Sequence, residues 1–81
     1  MSNTKILLFS STLCGPCNIA KRRLKDEEFK HLDVEILDSS IHYEKFVEYK
    51  VTSVPTFIKL VEGKEVNRKS GFKDLNDIRS L

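Results

Sequence analysis

The chain has 81 residues, 40% hydrophobic and 32% charged, which is enough for one small globular domain and excludes a disordered chain. Fourteen Lys and Arg against twelve Asp and Glu leave a net charge of +2, weaker and less concentrated than nucleic-acid binding domains usually carry. No apolar run reaches the ~18 residues of a membrane span, and Met1 to Phe9 lacks a secretory h-region and a small-residue cleavage site, so a cytoplasmic address is expected.

In chain order, Lys5–Phe9 is apolar without alternation, as in a central strand covered on both faces. Ser10 to Leu13 read as a polar loop. From Pro16 to about Lys25 the spacing turns helical, with Cys17, Ala20 and Leu24 on one face and Lys21, Arg22, Arg23 and Lys25 mostly on the others. Pro16 suits a first helical turn, where its missing N–H costs nothing. Val34–Asp38 is a second strand, expected to run parallel to the first because a helix separates them. Ser39 or Ser40 is a candidate cap for a second helix, which presents Tyr43, Phe46 and Val47 and stops near Lys50. Val54-Pro55 forces an extended turn. Thr56–Val61 follows as a strand, Glu62-Gly63-Lys64 as a hairpin turn, and Glu65 to Lys69 as the returning strand. Gly71 breaks that strand, and Asp74 to Leu81 are expected to close the chain as a short helix. The order β-α-β-α-β-β-α predicts an α/β single domain over residues 1–81, a mixed four-stranded sheet flanked by helices.

Cys14-Gly15-Pro16-Cys17 lies where a strand hands over to a helix. A thiol attacks a disulfide only as thiolate, and the unpaired N–H groups at a helix start favour a negative sulfur. Cys14, at the outer lip, is the candidate nucleophile. Cys17 lies one turn further in, with Cα atoms about 5 Å apart, a span a disulfide accepts. Two alternatives stand beside this redox reading. The cysteines are inert and buried, or they form half of a zinc site completed by His31 and His42, although those histidines have no recognised finger spacing.

The tetrapeptide Cys14–Cys17 together with Tyr49-Lys-Val-Thr-Ser-Val-Pro-Thr56, with Gly63 and Gly71 following, resembles the thioredoxins from about Lys5 to Leu81. The resemblance implies a minimal thioredoxin fold without the family's N-terminal strand and helix. It also implies a cis Val54–Pro55 bond facing the cysteines, with the Val54 backbone free to pair with an extended substrate. Leu13 stands where that family has a tryptophan, and Leu8 where it has a buried aspartate that handles the proton of the resolving cysteine. Some other group or water must then take that proton. Lys69-Ser-Gly-Phe-Lys-Asp-Leu75 is similar to the tail of small glutaredoxin-like redoxins that donate electrons to ribonucleotide reductase and occur in bacteria and phages. Glutaredoxins proper carry Cys-Pro-Tyr-Cys and a glycine where this chain has Phe72.

The resemblance therefore implies a thiol–disulfide oxidoreductase reducing protein disulfides, with Cys14 and Cys17 catalytic and no metal or organic cofactor. Leu13, Gly15, Pro16, Val54, Pro55, Gly71 and Phe72 are the candidate substrate-binding residues, Leu13 and Phe72 as an apolar rim. A monomer recharged by a thioredoxin-reductase-type enzyme is expected. A glutathione-dependent glutaredoxin and a redox-inert interaction module are the alternatives. The Lys21-Arg22-Arg23 run is either a steering patch or a solvated helix face.

Overall fold

The computed structural model describes residues 3–81. The chain runs β1 (Thr4–Ser10), α1 (Gly15–Arg23), a single 3-10 turn (Glu27–Phe29), β2 (Val34–Asp38), α2 (Tyr43–Glu48), β3 (Thr56–Val61), β4 (Lys64–Ser70) and α3 (Asn76–Arg79). The four strands form one sheet in the order β2-β1-β3-β4. β1 pairs parallel with β2 and antiparallel with β3, and β4 returns antiparallel on β3. This is the mixed sheet expected from the element order.

The unbroken apolar run of β1 is explained by its central place. Ile6 and Leu8 point to one face, where they meet Ala20 and Leu24 of α1, Phe29, Phe57 and Ile78. Leu7 and Phe9 point to the other, into a second cluster with Leu37, Phe46, Val51, Ile58 and Leu60. A strand covered on both sides has no solvent face to make polar. The β4 edge is the opposite case. Every residue from Lys64 to Ser70 is exposed, and its charged side chains discourage pairing with another chain.

The hairpin is tighter than expected. Glu62 (φ 52°) and Gly63 (φ 80°) both occupy the left-handed region, giving a two-residue loop whose twist matches the strands. β4 therefore begins at Lys64 rather than Glu65. Gly71, with φ 87°, ends it as expected.

Five expectations need correction. Ser10 is not loop but the last, fully buried residue of β1. α1 stops at Arg23, two residues early, with Leu24 as its C-cap. α2 is capped by neither serine: the Ser40 amide and hydroxyl both donate to Asp38 Oδ1, and His42 occupies the N-cap without a side-chain bond. Its expected face is also wrong. Tyr43 and Val47 are 69% and 60% exposed, and Phe46 alone is buried, its ring edge-on to Phe9 at 4.9 Å. Tyr49, just past the helix, takes the other place against Phe9 at 5.8 Å. Finally, α3 starts at Asn76 rather than Asp74, because the Asp77 carboxylate accepts the Lys73 and Asp74 amides and holds that segment as a loop.

Candidate active site

β1 ends at Ser10, and the chain needs only a short turn to reverse into α1. The Cys14 amide donates to the Ser11 carbonyl at 3.2 Å, and the Cys14 carbonyl accepts the Asn18 amide at 3.1 Å. Cys14 is thus the N-cap of α1, in extended conformation. Its sulfur does what a Ser or Asp oxygen does at other caps: it accepts the Cys17 amide, at 3.2 Å. Pro16, in the first turn, has no N–H to satisfy. The positive end of the helix is therefore directed at Cys14 Sγ.

The two sulfurs sit in different surroundings. Cys14 is half-buried between exposed Leu13 (94% exposed), Gly15 and Pro16. Cys17 is wholly buried, on the α1 face it shares with Ala20 and Leu24. They are joined as a disulfide with Cα atoms 5.2 Å apart, close to the separation expected from helical spacing.

The register brings a second segment to the same end of the sheet. Phe9 pairs with Thr56, so the preceding Pro55 lies level with Ser10. The Val54–Pro55 bond is cis, Pro55 is buried, and Val54 is half-buried. Thr56 Oγ1 donates to the Ser53 carbonyl at 2.8 Å, and the Gly71 amide donates to the Pro55 carbonyl at 2.8 Å. These two bonds tie the proline segment down and bring Gly71 beside it. The Val54 amide and carbonyl take no backbone partner among the described residues. Cys14, Cys17, Leu13, Gly15, Pro16, Val54, Pro55 and Gly71 thus share one end of the molecule. Phe72 turns inward instead, packed on the Phe57 ring at 6.2 Å and against the α1 cluster.

Leu8 is fully buried among Ala20, Leu24 and Phe57, so no carboxylate from that position reaches the cysteines. The acidic group near this end is Asp38, which sequence reasoning did not single out. Its carboxyl is held below the usual range, first by the Ser40 hydroxyl and amide, with Lys21 and the Thr12 amide adding to the effect against a desolvation penalty. Asp38 Oδ2 and Ser10 Oγ are buried without a hydrogen-bond partner among the described residues. No sequence signal marks this pair, since a serine and an aspartate before turns are ordinary.

On α1, Arg22 and Arg23 are exposed and Lys21 is half-buried. His31 is exposed, His42 caps α2, and no three His, Cys, Asp or Glu among the described residues converge on a metal position. No described helix is long and apolar enough to cross a membrane.

The family model described as Thioredoxin matches residues 1–81. A thioredoxin of Chlamydia trachomatis is 30% identical over 82 residues, covering 99% of this chain and 80% of that protein. A bifunctional thioredoxin reductase/thioredoxin of Mycobacterium leprae is 34% identical over 88 residues, covering 95% of this chain and 19% of that protein. Among solved structures, Fasciola hepatica thioredoxin superposes with a TM-score of 0.80 at 33% identity, over 95% of this chain and 75% of that one.

Proposed function

Because the chain belongs to the thioredoxin family, it is a thiol–disulfide oxidoreductase, and we propose that it reduces protein disulfides by two exchanges with Cys14 attacking and Cys17 resolving. Cys14 thiolate attacks one sulfur of the substrate disulfide, and the other sulfur leaves as thiolate. Cys17 then attacks Cys14 Sγ, the substrate's second sulfur leaves, and the Cys14–Cys17 bond closes. The observation that carries this division of labour is the Cys17 amide donating to Cys14 Sγ at the start of α1, while Cys17 itself is wholly buried. An amide and a helix dipole aimed at a sulfur favour its anionic form. No metal or organic cofactor takes part; the electrons come from an outside reductant.

Leu13, Gly15 and Pro16 supply an open apolar lip around Cys14 for the partner. The unpaired Val54 backbone beside Pro55 and Gly71 is placed to pair with an extended substrate segment. Phe72, next to Gly71, packs inward on the Phe57 ring. The donor in this reading is a thioredoxin-reductase-type enzyme, and the tail Lys69–Leu75 makes a ribonucleotide reductase a candidate recipient. The protein works as a monomer in the cytoplasm, where a reducing poise keeps such dithiols recyclable.

The test is Cys17→Ser in native extract. Mixed disulfides joined through Cys14 should accumulate and release their partners on adding dithiothreitol. No Cys14-linked adduct, or adducts equally abundant in Cys14→Ser, would remove the assignment.

A further inference from the structure

We propose that Asp38, reached through the Ser10 hydroxyl, takes the proton of the Cys17 thiol when Cys17 resolves the mixed disulfide. This deepens the two-exchange reading and rests on it. Resolution requires a thiolate from a sulfur with no exposure to water, so its proton must pass to a group inside the protein.

The topology says where that group lies. Ile6 and Leu8 of β1 face α1 and pack with Ala20 and Leu24. Two residues further along the same strand face comes Ser10, and one turn before Ala20 comes Cys17. Ser10 and Cys17 therefore occupy the same end of the strand–helix interface. Ser10 pairs in register with Asp38 on the parallel neighbour β2, which puts both side chains on that same face. Ser10 is 0% exposed, and its Oγ and Asp38 Oδ2 are the two buried side-chain atoms without a partner among the described residues. Buried polar atoms are nearly always paired because leaving them unpaired is costly. In the disulfide form neither atom bonds the other or the Cys17 sulfur; the path closes when the dithiol forms and the Ser10 hydroxyl turns to join its two neighbours.

A hydroxyl is suited to the middle of such a path, since it accepts one proton and donates another. Ser10 Oγ accepts the Cys17 proton and passes its own to Asp38 Oδ2. Cys17 thiolate forms the bond to Cys14 Sγ, and the Cys14–substrate bond breaks with its electron pair on the leaving sulfur. Asp38, half-buried, returns its proton to solvent. The groups facing Asp38 suit an acceptor that starts ionised: Lys21 from α1, the Thr12 amide from the active-site turn and the Ser40 amide and hydroxyl. Asp38 Oδ1 stays committed to Ser40, leaving Oδ2 for this task.

The experiment follows thiolate release when reduced protein meets an excess of a chromogenic aromatic disulfide. The first equivalent reports attack by Cys14 and the second reports resolution by Cys17. Asp38→Asn, which keeps an acceptor for Ser40, should leave the first phase unchanged. It should slow the second about ten-fold or more and remove the loss of rate that protonation of the Asp38 carboxylate causes in acid. Ser10→Ala should do the same, and Ser10→Thr should restore most of the rate; these two decide the matter if Asp38→Asn does not fold. Second phases of wild-type rate and pH profile in Asp38→Asn or Ser10→Ala overturn the relay. A missing first phase in the wild-type protein would instead overturn the two-exchange reading.

Discussion

Cys14 and Cys17 are three residues apart, yet they present opposite chemistry. Cys14 Sγ sits at the helix start and accepts an amide, while Cys17 is closed off from water. Alkylation of the reduced protein at mildly acidic pH should therefore label Cys14 first, and Cys14→Ser should abolish disulfide reduction. Mass spectrometry of the digested protein after brief labelling gives the order, and Cys17 reacting first would reverse the roles. This pair was legible in the sequence because its spacing and its strand-to-helix setting carry the chemistry on their own. Ser10 and Asp38 were not legible as a site. A serine and an aspartate flanking turns are ordinary, and only the β1–β2 register makes them buried neighbours. Leu8 was read as a departure from the family pattern, and its burial among Ala20, Leu24 and Phe57 makes that position purely apolar.

Among the elements, β2 and β3 lie where the residue pattern put them, because short segments rich in Val, Ile, Leu and Phe bounded by turn residues leave little freedom. α2 does not present the face its spacing implied. It has only six residues, too few for periodicity to define a face, and its orientation is set from outside by the Phe9 ring, which takes Phe46 and Tyr49. The nearby turn is governed locally instead: Asp38, two residues earlier, engages Ser40 before it can cap. The energetic consequence is a sharp contrast one residue apart. Phe46→Ala should cost about 3–5 kcal/mol of stability, as large core truncations do, whereas Val47→Ala, at an exposed position, should change it by less than about 0.5 kcal/mol. Urea unfolding of the two variants measures this, and equal losses would mean that Val47 is packed after all.

At the scale of the whole molecule, the element order and the parallel-then-antiparallel sheet were legible because a βαβ unit followed by a hairpin has few ways to fold. That sheet delivers Cys14, Leu13, Gly15, Pro16, Val54, Pro55 and Gly71 to one open end. The shape of this end bears on what recharges the protein. A tripeptide such as glutathione needs a recess with fixed polar groups to orient it, whereas a protein partner docks on an open apolar surface. Leu13 is almost fully exposed beside Gly15 and Pro16, which suits the protein partner. Phe72 stands where the resemblance to glutaredoxins calls for a glycine, and its ring packs on Phe57, so the backbone there lacks the open approach a glycine gives. Against this stands Leu13 in place of the tryptophan of thioredoxins. The two donors are separated by supplying oxidised protein in parallel with NADPH and thioredoxin reductase, and with NADPH, glutathione and glutathione reductase. Reductases from several species belong in the first arm, because a surface built from a few apolar side chains discriminates between partners. The expected outcome is sustained NADPH consumption with at least one reductase, and turnover with glutathione about ten-fold slower or less. Efficient turnover with glutathione and none with any reductase would make the protein a glutaredoxin by function, and would require the open lip at Leu13, Gly15 and Pro16 to bind the tripeptide unaided.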